Sequence, residues 1–180
     1  MNDLNVKTGV DFSKFDYENI FGVIKATENM RQNQMRPFKV YIQELSIEKF
    51  SNNQLTYIGD SENGMDFRGI DGLRYESKSC HGLFQSDRVA YTKSIFLKKF
   101  HTKSFLEVPK TFDYMLLWDS KEMSVGLITW EDCIKNMVVN DANIKTKIMK
   151  EDVNFIKRFV NPADKEDFME MLNRNIKNNL

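Results

Sequence analysis

The stretch GMDFRGIDGLRYESKS, residues 64–79, constrains the fold more than any other part of the chain. Asp71-Gly72 is a turn signal between two segments of alternating apolar and polar character, which predicts a β-hairpin over 65–79. Register then matters, because a slip of one residue moves every side chain to the other face of the sheet. A two-residue turn would set Asp66 opposite Ser77 and send the two acids to opposite faces. A three-residue loop, Ile70-Asp71-Gly72 with Gly72 left-handed, sets Gly69 opposite Leu73 and Asp66 opposite Glu76. The second register is the one expected, since it sorts the side chains. Met65, Phe67, Leu73 and Tyr75 form a core face, and Asp66, Arg68, Arg74, Glu76 and Lys78 a charged one.

Directly opposed strand residues have β-carbons about 5 Å apart, so Asp66 and Glu76 repel each other unless a cation lies between them. A divalent ion answers that objection. Magnesium takes one or two carboxylates and leaves its other positions to water and a substrate phosphate. Lys78, two residues after Glu76 on the same face, can orient the attacking water or stabilise charge on the phosphate. The competing reading is a solvated surface hairpin whose acids and bases make ion pairs worth under about 1 kcal/mol. Spacing alone leaves both open.

Elsewhere, apolar residues Phe15 to Met30 recur at helical spacing and predict a helix over 14–31. Residues 38–50 fit either a helix begun at Pro37 or a strand. Asn-rich 51–54 closes this region, and 59–64 reads as a polar loop. A helix is expected over 95–108, ended by Pro109, then strands over 113–119 and 123–130 around the turn Ser120-Lys121-Glu122. The tail, about 141–178, reads as helical, with Asn161 capping a helix that opens at Pro162. No repeat or linker divides the chain, whose 180 residues and 41% apolar content suit one α/β domain over 1–180 with one central sheet.

The 26 basic and 26 acidic residues cancel, but their distribution is uneven. Residues 88–110 carry a net +5 and residues 111–133 a net −4. A basic segment beside an acidic one suits a protein that meets a polyanion at one surface. Lys98, Lys99 and Lys103 are candidate phosphate contacts, Tyr91, Thr92 and Lys93 candidate groove contacts, and His81, three residues after Lys78, a further candidate. Their ordinary alternative is a helix with a solvated lysine face. Glu44 and Glu48 could approach the metal if 38–50 is a helix, although a solvent-facing role is the default. Cys80 and Cys133 lack metal-ligand spacing. The longest apolar run is Tyr114–Trp118, so no membrane partner is expected and the expected location is cytoplasmic.

The pattern G-x-D, nine residues, then E-x-K-S, with Tyr75 before the second acid, resembles the catalytic hairpin of type II restriction endonucleases of the PD-(D/E)XK superfamily. The resemblance is specific over 64–79 and extends loosely to about 131. It implies a restriction-endonuclease-like fold, a central mixed sheet flanked by helices, with a dimerisation region about 11–50 and a catalytic core about 60–135. It makes Asp66 and Glu76 the metal ligands, Lys78 the catalytic lysine and Mg2+ the cofactor. The activity implied is cleavage of double-stranded DNA at a short palindromic site by a homodimer, with a companion DNA methyltransferase. Met65 stands where the superfamily's name has proline, a permissive position, and His81 and His101 stand alone, without a histidine-rich base-reading segment. The alternatives are a superfamily nuclease of repair, phage or RNA-processing type, and a non-catalytic DNA-binding or interaction module.

Overall fold

The computed structural model describes residues 7–28, 30, 35–59, 65–80, 82, 95–96, 110–135, 137–140, 143–146 and 150–178. A short 3-10 turn, Phe12–Lys14, precedes α1, Tyr17–Ala26, and α2, Arg36–Phe50. The first helix is shorter than the expected 14–31. Asp16 caps it by accepting a hydrogen bond from the Asn19 amide at 3.1 Å, and such a cap residue stands outside the helical conformation. Pro37 lies in the first turn of α2, where its missing N–H costs nothing, and 38–50 is helix rather than strand.

Six strands make one mixed sheet: β1, Leu55–Tyr57; β2, Phe67–Gly69; β3, Arg74–Cys80; β5, Tyr114–Asp119; β6, Ser124–Thr129; and β9, Asn154–Lys157. They lie in the order β1-β2-β3-β5-β6-β9, antiparallel except for the parallel pair β3 and β5. The strand pair expected around Ser120–Glu122 is present as β5 and β6. Every residue of β5 after Tyr114 is buried, because both faces of this central strand are covered, and its sequence is accordingly a continuous apolar run. On one face, Phe67, Tyr75, Leu116, Trp118, Val125 and Leu127 pack with Phe12, Phe15, Ile20, Phe21, Ile24 and Ile47, and with Leu172 of α4, Pro162–Asn178. Phe12, Phe15 and Phe21, near the start of the chain, are therefore spent in the core.

Three expectations are corrected. Residues 95–96 form a strand, β4, paired with β8, Asn143–Thr146, instead of opening a helix; the remainder of 95–108 lies outside the described residues. A second, three-stranded sheet, β4-β8-β7 with β7 at Met137–Asn140, stands beside the single sheet foreseen. The tail is helical only from Pro162, since β8 and β9 occupy 143–146 and 154–157. In each case strand pairing, local for β7 with β8 and distant for β4 and β9, satisfies backbone groups and overrides weak local signals. The cap at Asn161 is as expected, its Oδ1 accepting from the Ala163 amide at 3.0 Å. A short α3, Trp130–Lys135, follows β6. Among the described residues no helix is long and apolar enough to cross a membrane.

Candidate active site

The hairpin adopts the register that separates the two faces. Phe67 pairs with Tyr75 and Arg68 with Arg74, and just before β2 the Asp66 amide donates to the Tyr75 carbonyl at 3.1 Å, one step out of that register, which keeps Asp66 alongside β3. Gly72 closes the loop at φ +77°, donating to the Gly69 carbonyl at 2.8 Å, while the Gly69 amide donates to the Leu73 carbonyl at 2.9 Å. Gly69 is needed for space, because a β-carbon there would come within 2.6 Å of the Tyr75 ring.

Asp71 locks the loop from below. Its carboxylate accepts from the Leu73 amide at 3.0 Å, the Gly9 amide at 2.9 Å, the Tyr75 hydroxyl at 2.8 Å and the Thr8 hydroxyl at 3.0 Å. Burial alone would raise the pKa of this carboxyl group, but those donors outweigh it and hold the group below the usual carboxylate range. The segment before the 3-10 turn is thereby tied to the hairpin that carries the acids.

On the charged face, the Ser77 amide donates to Asp66 Oδ2 at 2.7 Å, which turns that carboxylate onto β3 beside Glu76. Lys78 Nζ contacts Glu76 Oε1 and also donates to the Ser77 carbonyl at 3.1 Å. The Glu76 side chain is only 13% exposed. Burial pushes its pKa up from 4.5 to about 7, with Asp66 and Glu44 adding to the rise and Lys78 opposing it. For Lys78, burial would lower the pKa, but Glu76, Asp66 and Glu44 outweigh it and hold the ammonium above its usual value. An acid that resists ionising beside a lysine that resists deprotonation is a site with more negative groups than one ammonium can balance.

Glu44 is the third acid, and α2 brings it in. This residue is 8% exposed, contrary to its solvent-facing default, and its charge acts on both Glu76 and Lys78. Its neighbour Gln43, 5% exposed, ties the helix to β3. Gln43 Oε1 accepts from the Ser79 hydroxyl at 3.1 Å, and Nε2 donates to Thr27 Oγ1 at 2.7 Å, just beyond α1. Glu48 serves elsewhere, accepting from the Tyr57 amide at 3.0 Å. The only cue in the sequence was the pair of acids at i and i+4 on a helix whose register against the sheet was unknown.

Among the described residues, no three acidic, histidine or cysteine groups close around one point as a complete metal cage. Hard carboxylate oxygens in an over-negative, largely buried site still fit a magnesium ion, which needs few protein ligands and keeps waters and substrate oxygens for the rest. The other end of the charged face is an ion-pair network. Arg74 Nε lies 3.3 Å from Asp113 Oδ2, Lys110 Nζ lies 3.2 Å from Asp113 Oδ1, and the same ammonium lies 3.1 Å from Glu131. Two acids of the −4 segment are thus structural. His81, Tyr91, Thr92, Lys93, Lys98, Lys99 and Lys103 lie outside the described residues. No protein-family model matches the sequence, and comparison with curated proteins finds no relative.

Proposed function

We propose that the chain is a magnesium-dependent nuclease that hydrolyses phosphodiester bonds in double-stranded DNA. The observation that carries this reading is the half-buried Glu76–Lys78 pair with the Asp66 carboxylate held against β3 by the Ser77 amide and the charges of Asp66 and Glu44 both acting on it. A surface hairpin with solvated ion pairs has no use for burying a glutamate to 13% exposure among like charges, since each added carboxylate raises the cost. Asp66 and Glu76 would hold the ion, with Glu44 completing the negative field. When bound, the ion would supply positive charge at the phosphate and a more acidic water.

The protein's own groups have separate tasks. Asp66, fixed by the Ser77 amide, keeps one oxygen edge in a set direction. Lys78, released from Glu76 as that carboxylate turns to a cation, would meet the attacking water or a non-bridging phosphate oxygen and stabilise the charge that develops there. The Asp71 lock and the Gln43 bridge keep hairpin and α2 in register, which matters because misplacement of catalytic groups by about 1 Å is expensive in rate. The sequence resemblance extends the proposal to a restriction-endonuclease-like fold, a homodimer and a short palindromic site; the order α2, antiparallel β1 to β3, then β5 parallel beside β3 is compatible with it.

Asp66→Asn, Glu76→Gln and Lys78→Ala, assayed on long sequenced DNA with Mg2+, test the reading. All three variants should fold and lose cleavage, with Lys78→Ala still binding metal. Metal-free DNA affinity of the two acid variants should equal or exceed wild type, because a charge that repels phosphate has gone. Full cleavage by a folded Asp66→Asn or Glu76→Gln protein refutes it and leaves a non-catalytic binding module. Cleavage confined to RNA, or without discrete ends, would place the chain among processing or repair nucleases.

A further inference from the structure

The charged face carries five residues, of which the proposed chemistry uses Asp66, Glu76 and Lys78. Its two arginines face each other, Arg68 on β2 against Arg74 on β3, although like charges directly opposed in a sheet destabilise it. The structure treats them differently. Arg74 is committed: its amide and its Nε both reach Asp113 Oδ2, at 2.8 and 3.3 Å, and its Nη1 donates to the Lys110 carbonyl at 3.0 Å. Arg68 is exposed, and its Nη1 donates across the loop to the Gly72 carbonyl at 3.0 Å. Among the described residues no carboxylate lies within ion-pair distance of it. The row formed by Arg68, Arg74, Lys110, Asp113 and Glu131 holds three cations against two acids, and the uncompensated one is Arg68.

Its position gives that charge a use. Arg68 follows Asp66 by two residues on the same strand face, so the two side chains leave the sheet about 7 Å apart. A polyanion whose reacting phosphate sits at Asp66, Glu76 and Lys78 presents its next phosphate within reach of a long side chain at that distance. The hydrogen bond to the Gly72 carbonyl holds one corner of the guanidinium and leaves the rest of its planar fork of donors for a tetrahedral oxyanion. We propose that Arg68 binds a backbone phosphate adjacent to the scissile one, fixing the direction in which a nucleic-acid strand crosses the hairpin. This rests on the nuclease reading above and adds to it a contact that positions substrate without sequence preference.

The test uses the full-length protein and a duplex DNA in Ca2+, which supports binding with little hydrolysis. Dissociation constants are measured by fluorescence anisotropy over a series of salt concentrations for wild type, Arg68→Ala, Arg68→Lys and, as a distant exposed cation on α4, Lys177→Ala. Arg68→Ala should flatten the slope of log K against log salt by about one and weaken binding on the order of tenfold at low salt. Calcium affinity by calorimetry and melting temperature should stay as in wild type. Arg68→Lys should restore the slope and most of the affinity, and Lys177→Ala should change neither. If wild type binds DNA but Arg68→Ala keeps its slope, or Lys177→Ala loses as much, the assignment is wrong and the nuclease reading stands. If wild type neither binds nor cleaves DNA, both fall together.

Discussion

Glu76→Gln should make the metal-free protein more stable at pH 8 while leaving it nearly unchanged at pH 4. In the unfolded chain this carboxyl group titrates near 4.5, whereas in the fold burial raises it to about 7. Below pH 4.5 both states hold the proton, and the side chain costs nothing. Between pH 4.5 and about 7 the unfolded chain has released its proton while the folded one retains it, so the unfolded state binds fewer protons and stability falls as pH rises. Above about pH 7 the full penalty is present. At about 1.4 kcal/mol for each tenfold change in proton affinity, it amounts to roughly 3 kcal/mol, a large share of a typical folding stability of about 5–15 kcal/mol. Glutamine is nearly isosteric with the protonated acid and cannot ionise. Urea denaturation with a chelator present, at half-unit intervals from pH 4 to 8, should therefore give nearly coincident wild-type and variant stabilities at pH 4 and curves that diverge to roughly 3 kcal/mol at pH 8. With a slope of about 2 kcal/mol per molar urea, the midpoints would differ by more than about 1 M. Other groups titrating in this window shift both proteins alike. Curves that run parallel, or a variant less stable than wild type at pH 8, would show that Glu76 ionises readily as a partner of Lys78, and the picture of an over-negative site would fail.

Light scattering at micromolar protein without DNA should give about twice the 21.2 kDa chain mass. Lysine at Phe38 and Tyr41, which are 52% and 49% exposed on α2, should reduce it to the chain mass without loss of helicity; a wild-type monomer both free and on DNA would remove the support for a symmetric dimer. Gln43→Leu leaves the Ser79 and Thr27 hydroxyls without their partner, so it should cost about 1–3 kcal/mol in urea denaturation and weaken calcium binding several-fold in calorimetry as Glu44 loses its register. Unchanged calcium affinity would make the bridge a matter of stability alone.

The hairpin was legible in the sequence because everything that determines it is local. A left-handed glycine at 72, a crowded glycine at 69 and alternation on both sides leave one register in which Phe67 and Tyr75 are buried together, and that register sets Asp66 beside Glu76. The strands β5 and β6 were legible for the same reason. The short strands β8 and β9 were not, since they pair with β4 and β6, which lie far from them in the chain, and β7 pairs only with β8. The hardest part to read was α2. Hydropathy would turn Phe38, Tyr41 and Leu45 inward and the polar residues outward, yet the helix buries Gln43, Glu44 and Ser46 and exposes those three apolar side chains. A helix so inverted gives up apolar burial worth about 1.5–3 kcal/mol for each large side chain left in water. Evolution tolerates that cost where the polar face has work inside and the apolar face has work outside. Inside, Gln43 and Glu44 meet β3; outside, an apolar stripe remains that the proposed dimer would cover. The mixed faces of this one helix, invisible to periodicity, therefore link the charge of the site to the proposed dimer.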